Sequence, residues 1–103
     1  MIAIYQKEDK IMSLVTKENI KVGMKVYSCW DDTPIDGFGC VEAIIKAIYD
    51  DHFIYKEPLL DNIWGEYDDG KSSVAVFTDK EDAEKWFFDR GLPFQWDDGG
   101  YSL

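Results

Sequence analysis

The sequence predicts a mainly β (α+β) domain. The expected form is a small curled antiparallel barrel of four to five strands, followed by one C-terminal helix at about residues 79–90. Three observations predict it. Short β-branched and aromatic runs recur with close turn signals between them. One late segment alone carries complete helix start and stop signals. The chain has 103 residues, 46% hydrophobic and 16% aromatic, which suits one packed core.

Residues 1–15 read as a leader or a short extra strand, and residues 16–103 as the single barrel with its helix and tail. Thr16–Gly23 starts on an N-capping residue and reads as one helical turn ended by Gly23. Met24–Trp30 alternates Val26, Ser28 and Trp30 against Lys25, Tyr27 and Cys29, which marks a strand. The Asp, Pro and Gly of "DDTPIDG" then supply turn chemistry. Phe38–Tyr49 carries two patterns at once. Val41, Ala43, Ile45, Ala47 and Tyr49 alternate as in a strand, while Val41, Ile44, Ile45 and Ile48 sit at helical spacing. The turn signal Asp50-Asp51 and a second β-like run, His52–Glu57, follow directly, so a hairpin is the reading adopted.

A short strand near Ile63–Tyr67, the turn Asp68-Asp69-Gly70 and a strand Ser72–Phe77 form a second expected hairpin. In "TDKEDAEKWFFDRG", Thr78 is the expected N-cap and Glu81 completes a capping box. Asp79, Glu81 and Asp82 complement the helix dipole, and Ala83, Trp86 and Phe87 form the apolar face. Arg90 occupies the last turn, Gly91 is placed to end the helix, and Pro93 bars its continuation. Phe94, Trp96 and Tyr101 in the tail are costly to leave in water, so the tail is expected to pack onto the body or a partner.

Charge is the strongest functional signal. The chain carries −10, and it is unevenly spread. Residues 1–25 hold five Lys and three acids, a balance of +2; residues 26–103 hold six Lys or Arg and eighteen acids, a balance of −12. Such a body repels nucleic acid and attracts basic protein surfaces. No direct nucleic-acid contact is expected, because the basic stripe that phosphates require is missing. Nor is a membrane span, since no apolar run approaches ~20 residues. Met1–Lys10 has no apolar signal region, and cytoplasmic location with reduced thiols is expected.

Candidate chemistry is sparse. A calcium loop started at Asp32 would put Asp36 and Gly37 correctly at its fifth and sixth positions. Its third and twelfth positions are Pro34 and Ala43, so the bidentate acid is lacking. Cys29 and Cys40 would face each other in a hairpin centred between Pro34 and Ile35, as two small core residues or as a bridge if the geometry suits. Zinc has too few soft ligands. The single histidine, His52, follows Asp50 and Asp51 but has no nucleophile context. No metal, cofactor or catalytic residue is expected.

"IKVGMKVY" (Ile20–Tyr27) and "VFTDKEDAEKWF" (Val76–Phe87) resemble the opening and closing motifs of a group of small proteins from Gram-positive bacteria, their phages and mobile elements. The resemblance spans roughly residues 19–88 and is specific at its two ends. It implies an SH3-like barrel with a C-terminal helix. "AIYDD" (Ala47–Asp51) and "IWGEYDDGKSSVAVF" (Ile63–Phe77) are similar to pieces of eukaryotic SH3 domains, without their closing Pro-x-x-Tyr. That second likeness supports barrel geometry and not proline-rich ligand binding.

The expected function is therefore an acidic, non-enzymatic inhibitor that binds a basic surface of another protein. Its sharpest form is a nucleic-acid mimic in the basic groove of a host defence nuclease, of the anti-CRISPR or anti-restriction type. Asp31, Asp32, Asp36, Glu66, Asp68, Asp69, Asp97 and Asp98 would carry the charge, with Trp30, Trp64 and Trp96 as anchors. The alternative is an SH3-like adaptor or structural module that binds a peptide, or itself, through an aromatic groove.

Overall fold

The computed structural model describes residues 13–32, 37–67 and 73–96. Five antiparallel strands form one sheet, and one helix follows them: β1 (Lys25–Asp32), β2 (Gly37–Ile48), β3 (His52–Glu57), β4 (Leu60–Glu66), β5 (Val74–Phe77) and α1 (Lys80–Asp89). The order across the sheet is β4-β3-β2-β1-β5. The mainly β expectation with a late helix therefore holds, and Phe38–Ile48 resolves as strand, with Tyr49 beyond its end.

Three local expectations need correction. Thr16–Gly23 is not a helical turn. Thr16 and Asn19 bond reciprocally, the Thr16 amide donating to Asn19 Oδ1 at 2.8 Å and the Asn19 amide to the Thr16 hydroxyl at 3.2 Å. This reciprocal pair has the pattern of a capping box, but the backbone carries it only as far as one turn, the Asn19 amide donating to the Thr16 carbonyl at 3.2 Å. The second hairpin does not form, because β5 pairs with β1 and not with β4. Beside β1, Ala75 and Phe77 share one face with Cys29 and Tyr27, while Val76 joins Ser28 on the other. That two-sided burial overrides the local turn signal. The Asp68-Asp69-Gly70 turn itself lies outside the described residues.

The third correction is the helix cap. Asp79, not Thr78, is the N-cap, and its carboxylate accepts from the Glu81 amide at 3.1 Å. The Thr78 amide is already committed to the Ser13 carbonyl at 2.8 Å. At the C-terminus Gly91 ends the helix as expected, while Arg90 is the C-cap and not a residue of the last turn. Gly91 has φ +76°, its amide bonds to Phe88 O, and the Leu92 amide bonds to Phe87 O. This pair of bonds is the Schellman arrangement.

The two sheet faces bury two clusters. Val26, Ala43, Ile45, Phe53, Tyr55 and Val76 pack inside the curl with Val15 and Ile20. On the other face Cys29, Cys40, Ala75 and Phe77 lie under Ala83, Trp86 and Phe87 of α1. The tail then runs alongside β2 in a parallel bridge, where the Cys40 amide donates to the Gln95 carbonyl at 2.9 Å. Rings Phe38, Phe87, Phe94, Trp96 and Tyr27 form a chain of contacts from sheet to helix to tail and back. The described part of the tail thus packs on the body.

Two bulges set which residues face inward. In β2 the register slips between Ile45 and Ala47. Ala43 and Ile45 point into the core, Ala47 does not, and Ile48 packs against it again. The alternation up to Ile45 is the ordinary strand pleat, while the three-residue step from Ile45 to Ile48, which imitates helical spacing, is a product of this slip. In β4 the extra residue falls at Asp61-Asn62, where Asn62 takes φ 54°. Asn tolerates that left-handed backbone better than most residues. Pairing of Glu57 with Leu60 gives way to pairing of Phe53 with Gly65 and Ile54 with Trp64. Gly65 therefore faces the core and Trp64 faces out.

Two buried groups make stability depend on alkaline pH. Cys29 has its thiol pKa raised by its hydrogen bond with Cys40 and by burial. Tyr55, whose hydroxyl meets Ser28 Oγ at 3.1 Å, is pushed up to about 12, chiefly by burial. Each group keeps its proton in the folded state while the unfolded chain gives it up. Their contribution is complete below the ordinary thiol and phenol values and is lost as pH rises beyond them. Urea titrations from pH 8 to 11 should show stability falling by about 1.4 kcal/mol per pH unit per group, first for Cys29 and then, above about pH 10, for Tyr55 as well. Tyr55→Phe should flatten only the upper part. An unchanged slope above pH 10 in that variant would refute the assignment.

Candidate functional site: an acidic and aromatic sheet face

Helix α1 rests on β1 and β5. The same side of the sheet carries an aromatic stack at β3 and β4. Strand pairing puts His52 opposite Glu66 and Ile54 opposite Trp64. The rings of His52 and Trp64 lie 3.6 Å apart at 4°, and Tyr49 stacks on His52 at 4.6 Å and 16°. Trp64 is 59% exposed and Tyr49 50%. Apolar Ile44, Leu59 and Leu60 are also exposed, on β2, in the β3–β4 turn and at the start of β4.

The turn that presents the stack is held from several sides. The Tyr49 amide donates to the His52 carbonyl at 2.9 Å, and the Tyr67 hydroxyl donates to the Tyr49 carbonyl at 3.0 Å. Lys17 reaches Asp50 at 3.0 Å, and that contact raises the Lys17 pKa. Asp51 Oδ1 lies 2.6 Å from His52 Nδ1, and this hydrogen bond holds the Asp51 carboxyl below its usual range. Asp50 and Asp51 remain 94% and 86% exposed at their side chains. Carboxylates at Asp50, Asp51 and Glu66 thus fringe a rigid aromatic surface.

Beside Trp64, β4 and β5 line a cleft of about 270 Å³ together with Tyr55, bounded by Trp64, Gly65, Glu66 and Val74–Val76. The sheet curls enough to bring its two edge strands to one opening. Face, fringe and cleft meet at Trp64 and Glu66.

No family model, curated protein or solved structure matches this chain. The site is therefore read from its own chemistry.

The expected anchors and acids disperse. Trp64 and Glu66 belong to the face just described. Trp30 is partly buried at the far end of β1, opposite Gly39 and Val74. Trp96 lies on the tail, against Phe94 and Tyr27. Asp31 is not part of an open acidic surface. Its side chain is 13% exposed and accepts from Arg90 at 3.1 Å, and Arg90 stacks over Trp86 at 4.1 Å. Asp32 is exposed at the end of β1. Asp36, Asp68, Asp69, Asp97 and Asp98 lie outside the described residues. Asp32 and the Asp50-Asp51 turn sit at opposite ends of β2, whose 12 residues span roughly 40 Å at about 3.3 Å each.

Sequence reasoning missed Tyr49 and gave His52 no binding role. Its available signal was the adjacency of Tyr49 and His52 across Asp50-Asp51. Among the described residues, no three His, Cys, Asp or Glu side chains gather in a way that would hold a metal ion. No described helix is long and apolar enough to cross a membrane.

Proposed function

We propose that this chain is a non-enzymatic, cytoplasmic binding domain that docks onto a basic surface of another protein. The observation that supports it best is the Tyr49–His52–Trp64 stack fringed by Asp50, Asp51 and Glu66. Tryptophan faces attract Arg and Lys side chains by cation–π interaction, and carboxylates beside them accept charge-assisted hydrogen bonds. The stack is rigid before binding, so little ordering is needed on contact. The net charge of −10 would speed encounter with a cationic partner. An inhibitor of a nucleic-acid-binding enzyme, set in its basic groove, is the narrower form of this proposal and uses the same carboxylates.

The test is calorimetric titration of the protein with an Arg-rich peptide, and with a basic nuclease, across a salt series. Affinity should fall with salt. Trp64→Ala should weaken binding by about 30-fold, as expected for a central aromatic anchor. Asp50→Asn with Glu66→Gln should flatten the salt dependence. Binding that ignores salt and survives Trp64→Ala would sink this reading.

A further inference from the structure

Cys29 and Cys40 are direct partners across β1 and β2. They lie eleven positions apart in the chain, with sulfurs 3.5 Å apart. Both are free thiols and both are fully buried. The Cys40 amide points away from β1, to Gln95. The Asp31 amide, which has the same orientation on β1 as that of Cys29, points away from β2, to Ser73. The two cysteines therefore form a pair that exchanges no backbone hydrogen bond. Such pairs are the close ones, with Cα atoms about 4.5 Å apart. That lies at the short end of the range a disulfide spans, from about 4.4 to 6.8 Å.

We propose that Cys29 and Cys40 are a modification site, closed to an intramolecular disulfide by a small peroxide. One sulfur attacks a peroxide oxygen, the O–O bond breaks, and a sulfenic acid forms while the departing oxygen leaves as water. The second sulfur attacks the sulfenic sulfur, its S–O bond breaks, and a second water leaves. Two thiols are oxidised, one peroxide is reduced, and the thiol protons end in the two waters. The partner sulfur is already in reach, so the second step needs only a side-chain rotation and a small strand adjustment.

Burial dictates how the site is reached. The shared hydrogen bond and the surrounding apolar groups keep Cys29 protonated, which makes it a poor nucleophile at rest. Trp86, Phe87 and Ala83 cover the pair from α1, and the tail strand at Gln95 flanks it. Oxidation therefore follows local opening of α1 or the tail. Once formed, the bond ties the β1–β2 hairpin and restricts the unfolded chain, which raises Tm.

The test has two arms. The native protein is treated with hydrogen peroxide, then thiols are counted in denaturant and intact mass is measured. The count should drop from two to none, mass should fall by two hydrogens, and Tm should rise. Cys40→Ser should show neither the two-hydrogen loss nor the rise. In the second arm the chain is unfolded and refolded in a buffer of reduced and oxidised glutathione, which removes the barrier of access. The expected product is a disulfide-bonded monomer. Two free thiols after refolding, a bond between chains, or over-oxidation of either sulfur to sulfinic acid would overturn the proposal.

Discussion

Phe87→Ala is expected to cost about 3–5 kcal/mol, the range for truncating a buried aromatic ring. Phe87 is fully buried and touches three elements at once. Its ring meets Phe38 of β2 at 5.9 Å, Trp86 of α1 at 5.0 Å and Phe94 of the tail at 5.7 Å. Its carbonyl also accepts the Leu92 amide that ends the helix. Removing the ring leaves a cavity bounded by the sheet, the helix and the tail. The helix has only 10 residues and would not persist alone in water. A domain of this size typically holds about 5–15 kcal/mol in total, so the variant should be close to unfolding at 37 °C. Urea denaturation would measure the loss, and tryptophan fluorescence would report release of Trp86. A cost below about 1 kcal/mol would mean that the helix is not held through this ring.

Gly65→Ala should be nearly as damaging, from the opposite cause. A methyl group at residue 65 would lie 2.5 Å from two carbons of the Phe53 ring. Phe53 is fully buried and has Tyr55 and Tyr67 against it, so the ring has little room to withdraw. Overpacking of this kind costs about 1–3 kcal/mol, and more where the backbone must shift. The expected fall in Tm is roughly 4–8 °C per kcal/mol for a domain of this length. A second substitution separates a steric cause from a general weakening of β4. Phe53→Leu makes space, so the double variant should be more stable than the sum of the single changes by about 1 kcal/mol or more. Additive effects would show that the glycine serves something other than the ring.

The two bulges explain what was legible in the sequence and what was not. The helix was readable because its signals are local: acidic Glu81 and Asp82 open it, and Gly91 ends it as its position implies. The β1–β2 register was also readable, since turn symmetry alone sets Cys29 opposite Cys40. The β3–β4 face was not. Symmetry from the Glu57–Leu60 pair would set Trp64 opposite Phe53 and bury it. One extra residue at Asp61-Asn62 reverses that assignment and turns Trp64 to the outside. The partnership of β5 with β1 was hidden for another reason. It joins residues nearly fifty positions apart, and no local pattern encodes such a choice.

That long-range partnership sets an order of events during synthesis. The hairpins β1–β2–β3–β4 can pair as they leave the ribosome, because each strand meets its sequence neighbour. The outer edge of β1 must wait for residues 74–77, and its Cys29 face for α1. Until then the nascent chain displays an unpaired strand edge beside bare apolar side chains, the arrangement most prone to joining another chain. Folding of the finished protein should accordingly be limited by capture of the last strand by the first, a non-local step of the kind that slows β-rich domains.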